Sequence, residues 1–167
     1  MKGSFQQSKY ISVLSKPLES HGSFILSKST GLYWRQLEPF LSEIYITDSY
    51  VSQRTKGGDK KKYSKKEQPI LQSISHIFLS IWNNDMKQLE SIFDIKVIDS
   101  KTSWEFHLTP KDPSVKKYIA SIYIKGNEYI SSVTINENNH DYTVIKVTSV
   151  SGAEILNDDE INLIKGL

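Results

Sequence analysis

Residues Trp104 to Val147 read WEFHLTPKDPSVKKYIASIYIKGNEYISSVTINENNHDYTVIKV, and this stretch decides the fold. Trp104, Phe106 and Leu108 alternate with polar neighbours and share one strand face. Tyr118, Ala120, Ile122 and Ile124 share a face of the next run, and Tyr129, Ser131, Val133 and Ile135 follow in a third. In the last run Tyr142 and Val144 stand against Ile145 and Val147. Alternation interrupted by short Gly- and Asn-rich breaks predicts antiparallel strands with one face buried. Such a sheet needs a cover over its apolar face, and what covers it is the functional question.

The preceding residues supply more strands and the cover. Ser4 to Ile11 is strand-like, and Leu18 to Ser27 is extended through Phe24-Ile25-Leu26. Lys28-Ser29-Thr30-Gly31 forms a turn, and the strand Leu32 to Glu38 stops at Pro39. Ile44-Tyr45-Ile46 and Tyr50-Val51 flank a turn at Thr47-Asp48-Ser49. The basic run Lys56 to Lys66, KGGDKKKYSKK, reads as a loop. Pro69 suits the first turn of a helix, and Ile70, Ile74, Ile77, Phe78 and Ile81 recur at helical spacing, widened by Leu71 and Trp82. Asn84-Asp85 caps a second short helix with Met86, Leu89 and Phe93 on one side. At the C-terminal end, Asn157 and Glu160 form a capping-box-like pair, with Leu156 and Ile161 as a staple, for a helix over 158–165. The order strands, helices, strands, helix predicts an α+β domain: a large antiparallel sheet with helices against one face.

Composition excludes several classes. With 167 residues, 38% hydrophobic and 24% charged, we expect one soluble globular domain over 1–167. No apolar run approaches the roughly 20 residues of a spanning helix. A net charge of +2 does not argue for nucleic acid, and the absence of cysteine removes disulfides, thiolate metal sites and thiol catalysis. Met1-Lys2 stands directly before a strand without a charged-then-apolar leader. We therefore expect a trimmed start, with a native signal and an N-terminal helix removed.

Catalytic patterns are thin. His21, His76, His107 and His140 show no metal-ligand spacing, and His107 is expected at the solvent face. Asp158, Asp159 and Glu160 suit a helix start electrostatically. Gly57-Gly58-Asp59-Lys60 lacks the phosphate-loop pattern, and no serine sits in a nucleophile elbow. The expectation is a non-enzyme without metal or cofactor. Lys60, Lys61, Lys62, Lys65 and Lys66 around Tyr63 read either as a solvated connector or as a contact for anionic headgroups or an acidic partner. Phe24, Tyr33, Trp34, Phe40, Phe78 and Trp82 read either as core or as the walls of a ligand cavity between sheet and helices.

Several segments together resemble the LolA-like family of periplasmic outer-membrane lipoprotein carriers. Phe5-Gln6-Gln7-Ser8-Lys9-Tyr10 is similar to the family's opening F-x-Q-x-K/R strand, and Gly22 with Phe24 to its next strand. Gly31-Leu32-Tyr33-Trp34 followed by Pro39-Phe40 is similar to its G-L-x-W-x4-P-F signature. Leu89 to Phe93, then Trp104 to Lys111 with Leu108-Thr109-Pro110, resemble its later strand end, and Ile119 to Val147 its closing hairpins. The turn Lys28 to Gly31 lacks the arginine that pins the lid helices in the best-known carriers, which marks a divergent branch.

The resemblance implies an open half-barrel whose concave apolar face lies under helices, leaving a cavity for acyl chains of lipoproteins or related lipids. It implies periplasmic localisation, an inner-membrane donor complex, an outer-membrane acceptor and a monomeric carrier without nucleic-acid binding. On it, Phe24, Leu32, Trp34, Ile44 and Ile46 are expected as one cavity wall. Ile74, Phe78 and Trp82 are expected as the lid, and Trp104, Phe106 and Ile122 as the far wall. The alternatives are a binding module for another amphiphile, such as a glycolipid or pigment precursor, and an interaction domain with a filled core.

Overall fold

The computed structural model describes residues 1–27, 31–47, 50–64, 67, 77, 79–81, 85–99 and 102–152. Eleven antiparallel strands form one curved sheet in the order β6-β5-β4-β3-β2-β1-β11-β10-β9-β8-β7. The first half comprises β1 (Lys2–Tyr10), β2 (Leu18–Ser27), β3 (Gly31–Glu38), β4 (Ser42–Ile46), β5 (Tyr50–Thr55) and β6 (Lys61–Ser64). The second comprises β7 (Phe93–Asp99), β8 (Trp104–Pro110), β9 (Ile119–Gly126), β10 (Ile130–Glu137) and β11 (Tyr142–Ser151). The edge strands β6 and β7 do not pair with each other, so the sheet is an open half-barrel rather than a closed one. The first and last strands, β1 and β11, pair at its middle. The α+β expectation of a large curved antiparallel sheet with few helices matches this architecture.

One face of the sheet carries the main core. Phe5, Phe24, Leu26, Leu32, Ile46 and Val51 from the first half join Leu108, Ile122, Ile124, Val133 and Ile145 from the second. The alternation that puts them there is the period-2 geometry of a strand. Ile77, 1% exposed, belongs to this cluster, and Leu79 and Ile81 pack against it from the same helical stretch. The helix α1 (Met86–Ile92) buries Leu89 there. Its Asp85 cap accepts a hydrogen bond from the Gln88 N–H, as expected from the sequence. Among the described residues no helix is long and apolar enough to cross a membrane.

The structure corrects several local readings. Tyr129 and Ser131 do not share the core face of β10. The register with β9 shifts between Ile130 and Ser132, which turns Ile130 inward and leaves Ser131 exposed. A second shift, between Asn136 and Glu137, brings Ile119 into the core while Ala120 is exposed and Tyr118 is 47% exposed. Each bulge breaks the strict alternation on which the sequence reading rested. Thr143, Ile145 and Val147, rather than Tyr142 and Val144, follow the inward phase of β11.

The basic run is not wholly a loop. Lys61–Ser64 pairs with β5, because Tyr63 lies opposite Val51 and the Lys62 ammonium sits 3.7 Å above the Tyr50 ring. Phe93 opens β7 instead of closing the helix. His107 is half-buried, 2.7 Å from Glu105 and edge-on to Tyr123. Another short helix, α2 (Pro113–Lys116), is capped by Asp112. The C-terminal helix expected over 158–165 lies outside the described residues.

Candidate functional site

Antiparallel register sets the side chains of β1 to β5 in rows across the buried face. Leu26, Leu32, Ile46 and Val51 pair in succession along one row. Phe24, Trp34 and Ile44 form the next. Gly22, Gln36 and Ser42 form a third, and Ser20, Gln7 and Ile145 a fourth. The face therefore changes along the strand direction, from branched aliphatics through aromatics to uncharged polar groups.

A cavity of about 170 Å³ lies over these rows. Leu32, Trp34, Ile44 and Ile46 line its apolar side, with Ile145 at the seam. Gln7, Gln36 and Ser42 line the polar side. The Gln7 amide donates to the Ser20 hydroxyl at 3.2 Å, and the Gln36 amide donates to the Phe40 carbonyl at 3.1 Å. Phe5 stacks on Trp34 with ring centroids 3.7 Å apart, and Phe24 stacks on it from 6.1 Å. Trp34 is thus fixed from behind while one of its surfaces meets the cavity.

The other face of the same strands is electrostatically locked. Tyr33 donates its hydroxyl to Glu43 Oε1 at 2.7 Å. Arg54 donates from Nε and Nη2 to Glu43 Oε2 at 2.9 and 2.7 Å. Arg35 Nε lies 3.6 Å from Glu43 Oε1, an ion pair too long for a hydrogen bond. Burial pushes the Glu43 pKa upward, but the hydrogen bonds from Tyr33 and Arg54 and the two guanidinium charges outweigh it and hold the carboxyl below its ordinary value. Burial, and then the bond to Glu43, push the Tyr33 phenol up. Strand alternation keeps all these charges off the cavity face.

The residues expected as site walls divide in three. Leu32, Trp34, Ile44 and Ile46 converge on one cavity, and Phe24 backs it. Trp104, Phe106 and Ile122 sit on the same sheet face but on β8 and β9, and they do not line this cavity. Trp104 instead packs on Phe106 at 4.9 Å and donates its indole N–H to the Asn127 carbonyl at 2.6 Å. Ile74, Phe78 and Trp82 lie outside the described residues, as do Lys65 and Lys66. Lys60, Lys61 and Lys62 are exposed.

Sequence reasoning missed Gln7, Gln36, Ser42 and Ile145 as lining residues. The signal for Gln36 and Ser42 was their phase with Trp34 and Ile44. Gln7 and Ile145 carried no local signal, because they enter through pairing across the seam. Among the described residues no group of three His, Cys, Asp or Glu side chains could hold a metal ion.

An eleven-stranded sheet left open at its edges, with helical residues and an apolar hollow on one face, defines the half-barrel class of protein. The chain belongs to the LolA family, described as outer membrane lipoprotein carrier protein LolA, whose model matches residues 1–161. It is similar in fold to the crystal structure of a LolA superfamily protein from Nitrosomonas europaea. That similarity has a TM-score of 0.50 at 7% identity, covering 93% of this chain and 86% of that one. No curated protein matches the sequence.

Proposed function

We propose that this chain is a periplasmic carrier that binds acyl chains of lipoproteins or related lipids beneath lid helices and moves them toward the outer membrane. The observation that carries the reading is the hollow beside Trp34, lined by Leu32, Ile44 and Ile46, in a chain that belongs to a family of lipoprotein carriers. In water an acyl chain of ~16 carbons is unfavourable by about 0.8 kcal/mol per methylene, on the order of 12 kcal/mol in all. A carrier must match a membrane in apolar quality without exceeding it, or cargo would not leave.

The hollow is small for that task. A cavity of about 150 Å³ accepts a molecule the size of benzene, so this one takes the end of a chain. The remainder needs the space of side chains such as Ile77, which is buried over the same sheet face. In our reading the helical stretch bearing Ile77 and Ile81, extended by Ile74, Phe78 and Trp82, is a lid that gives up its seat to the cargo. Trp104, Phe106 and Ile122 become the far wall once it lifts. The carrier acts as a monomer between an inner-membrane donor complex and an outer-membrane acceptor. Lys60, Lys61, Lys62, Lys65 and Lys66 meet anionic headgroups or an acidic partner surface.

Native mass spectrometry of the purified protein tests the reading together with displacement of a fluorescent fatty acid. Co-purified acyl species, and loss of probe binding in Ile44→Trp, are expected, because the new indole fills the hollow. A protein that binds no acyl species and no apolar probe overturns the proposal.

A further inference from the structure

We infer that the hollow selects acyl chains carrying an uncharged, hydrogen-bonding head, such as a hydroxyl or an amide, over chains ending in a carboxylate or phosphate. This rests on the acyl-cavity reading above and adds the class of cargo. The side chains of Gln7, Gln36 and Ser42 gather at one side of the cavity, two or three rows from Leu32 and Ile46. A chain lying along the strands therefore meets aliphatic groups at its tail and amide or hydroxyl groups at its head.

The hydrogen-bond inventory gives the head its chemistry. Both glutamine amide nitrogens are engaged by the protein, Gln7 with Ser20 and Gln36 with Phe40. Each side chain keeps for a ligand its carbonyl oxygen, an acceptor, and a second amide N–H, a donor. With the Ser42 hydroxyl, these groups suit a neutral head that both donates and accepts, such as a hydroxyl or an amide. Among the described residues no lining side chain carries a charge. The next inward position along β1, Lys9, is held by Glu137 at 3.1 Å. Arg35 and Arg54 are committed to Glu43 on the opposite face. Among the described lining residues an anionic head would find no counter-ion, which is unfavourable.

Competition for a fluorescent apolar probe, with three twelve-carbon ligands below their aggregation limits at pH 8.5, separates the terms. Monolauroylglycerol has a neutral donating head, methyl laurate is neutral without a donor, and laurate is anionic. We expect the glycerol ester to displace the probe at about tenfold lower concentration than the methyl ester, since two net hydrogen bonds supply about that factor. Laurate is expected to be the weakest of the three. In the double variant Gln7→Leu, Gln36→Leu the glycerol ester falls to the level of the methyl ester, while the methyl ester holds or improves. The ranking on the unmodified protein needs no variant to fold. Equal displacement by all three ligands, or tightest binding of laurate, overturns the head-group inference and leaves the carrier reading standing. Displacement by none of them overturns both.

Discussion

Phe5 and Trp34 stack across an intervening strand, with centroids 3.7 Å apart and planes 25° from parallel. Phe5 is on β1 and Trp34 on β3, and between them on β2 the partner of Phe5 is Gly22. A side chain at position 22 would place a Cβ 1.9 Å from the Arg35 carbonyl oxygen and 2.9 Å from the Gln36 Cα, backbone atoms of β3 that cannot swing aside. The cavity wall thus depends on a residue with no side chain.

Gly22→Ala should therefore destabilise the protein by about 1–3 kcal/mol, the usual range for overpacking. Gly152→Ala, where among the described residues a Cβ meets only the Tyr129 hydroxyl at 3.9 Å, should be close to neutral. Urea denaturation of both variants checks the contrast. Equal midpoints would show that β2 and β3 can separate without loss.

Trp34 should report cargo directly, and Trp104 should not report cargo confined to the hollow. One lines the hollow, while the other is tied to the Asn127 carbonyl on β8. In a Trp82→Phe, Trp104→Phe background, Trp34 emission should shift on titration with a short-chain monoacylglycerol. In a Trp34→Phe, Trp82→Phe background the same ligand should leave Trp104 emission unchanged. A response only from Trp104 would move the binding site to the far half of the sheet.

Stability should fall on the acid side through Glu43. Its pKa in the fold lies below the ordinary 4.5. The stability from that shift is fully present above the unfolded value and is lost as pH falls through the folded one. Glu43→Gln should flatten the dependence of thermal midpoint on pH below about 4.5. At pH 7 it should cost about 1–3 kcal/mol, because Tyr33 and Arg54 lose hydrogen bonds to a charged acceptor while the half-exposed arginines left behind are screened by water. An unchanged acid limb in this variant would place the titration on other carboxylates.

Binding to anionic vesicles should be salt-dependent and should fall on Lys60→Ser, Lys61→Ser. Two lysines near such a surface contribute about 2 kcal/mol, roughly 30-fold in affinity. Zwitterionic vesicles should show no difference between the two proteins in a sedimentation assay. Lys62 is left in place because it already rests on the Tyr50 ring. Binding that ignores salt would exclude the basic segment as a headgroup contact.

Much of the sheet was legible because its core strands alternate cleanly. Phe24 with Leu26, Leu32 with Trp34, and Ile44 with Ile46 announced their face at period two, and register then placed them side by side. Ile130 and Ile119 were misread because a bulge is a backbone event that leaves the pattern of residue types almost unchanged. The strand Lys61–Ser64 was hidden by its lysines, which suit a solvent-facing edge and mimic a loop. Gln7 and Ile145 could not be joined from local pattern, since their contact spans most of the chain. The charged network of Glu43 was also illegible. Its members are spaced as ordinary surface residues, and only pairing across β3, β4 and β5 aligns Arg35, Glu43 and Arg54.

The seam between β1 and β11 has a consequence for biosynthesis. A ribosome delivers β1 first and β11 last among these strands, yet the two are immediate neighbours. Until the final strand emerges, the nascent polypeptide holds β1 with one flank unzipped and its greasy surface uncovered, so the last step of folding is a long-range docking that is intrinsically slow. A chain of this design calls for a holdase until its last strand docks. Permuted versions, cut in the exposed β5–β6 hairpin and joined across the old ends, should mature faster than the natural order.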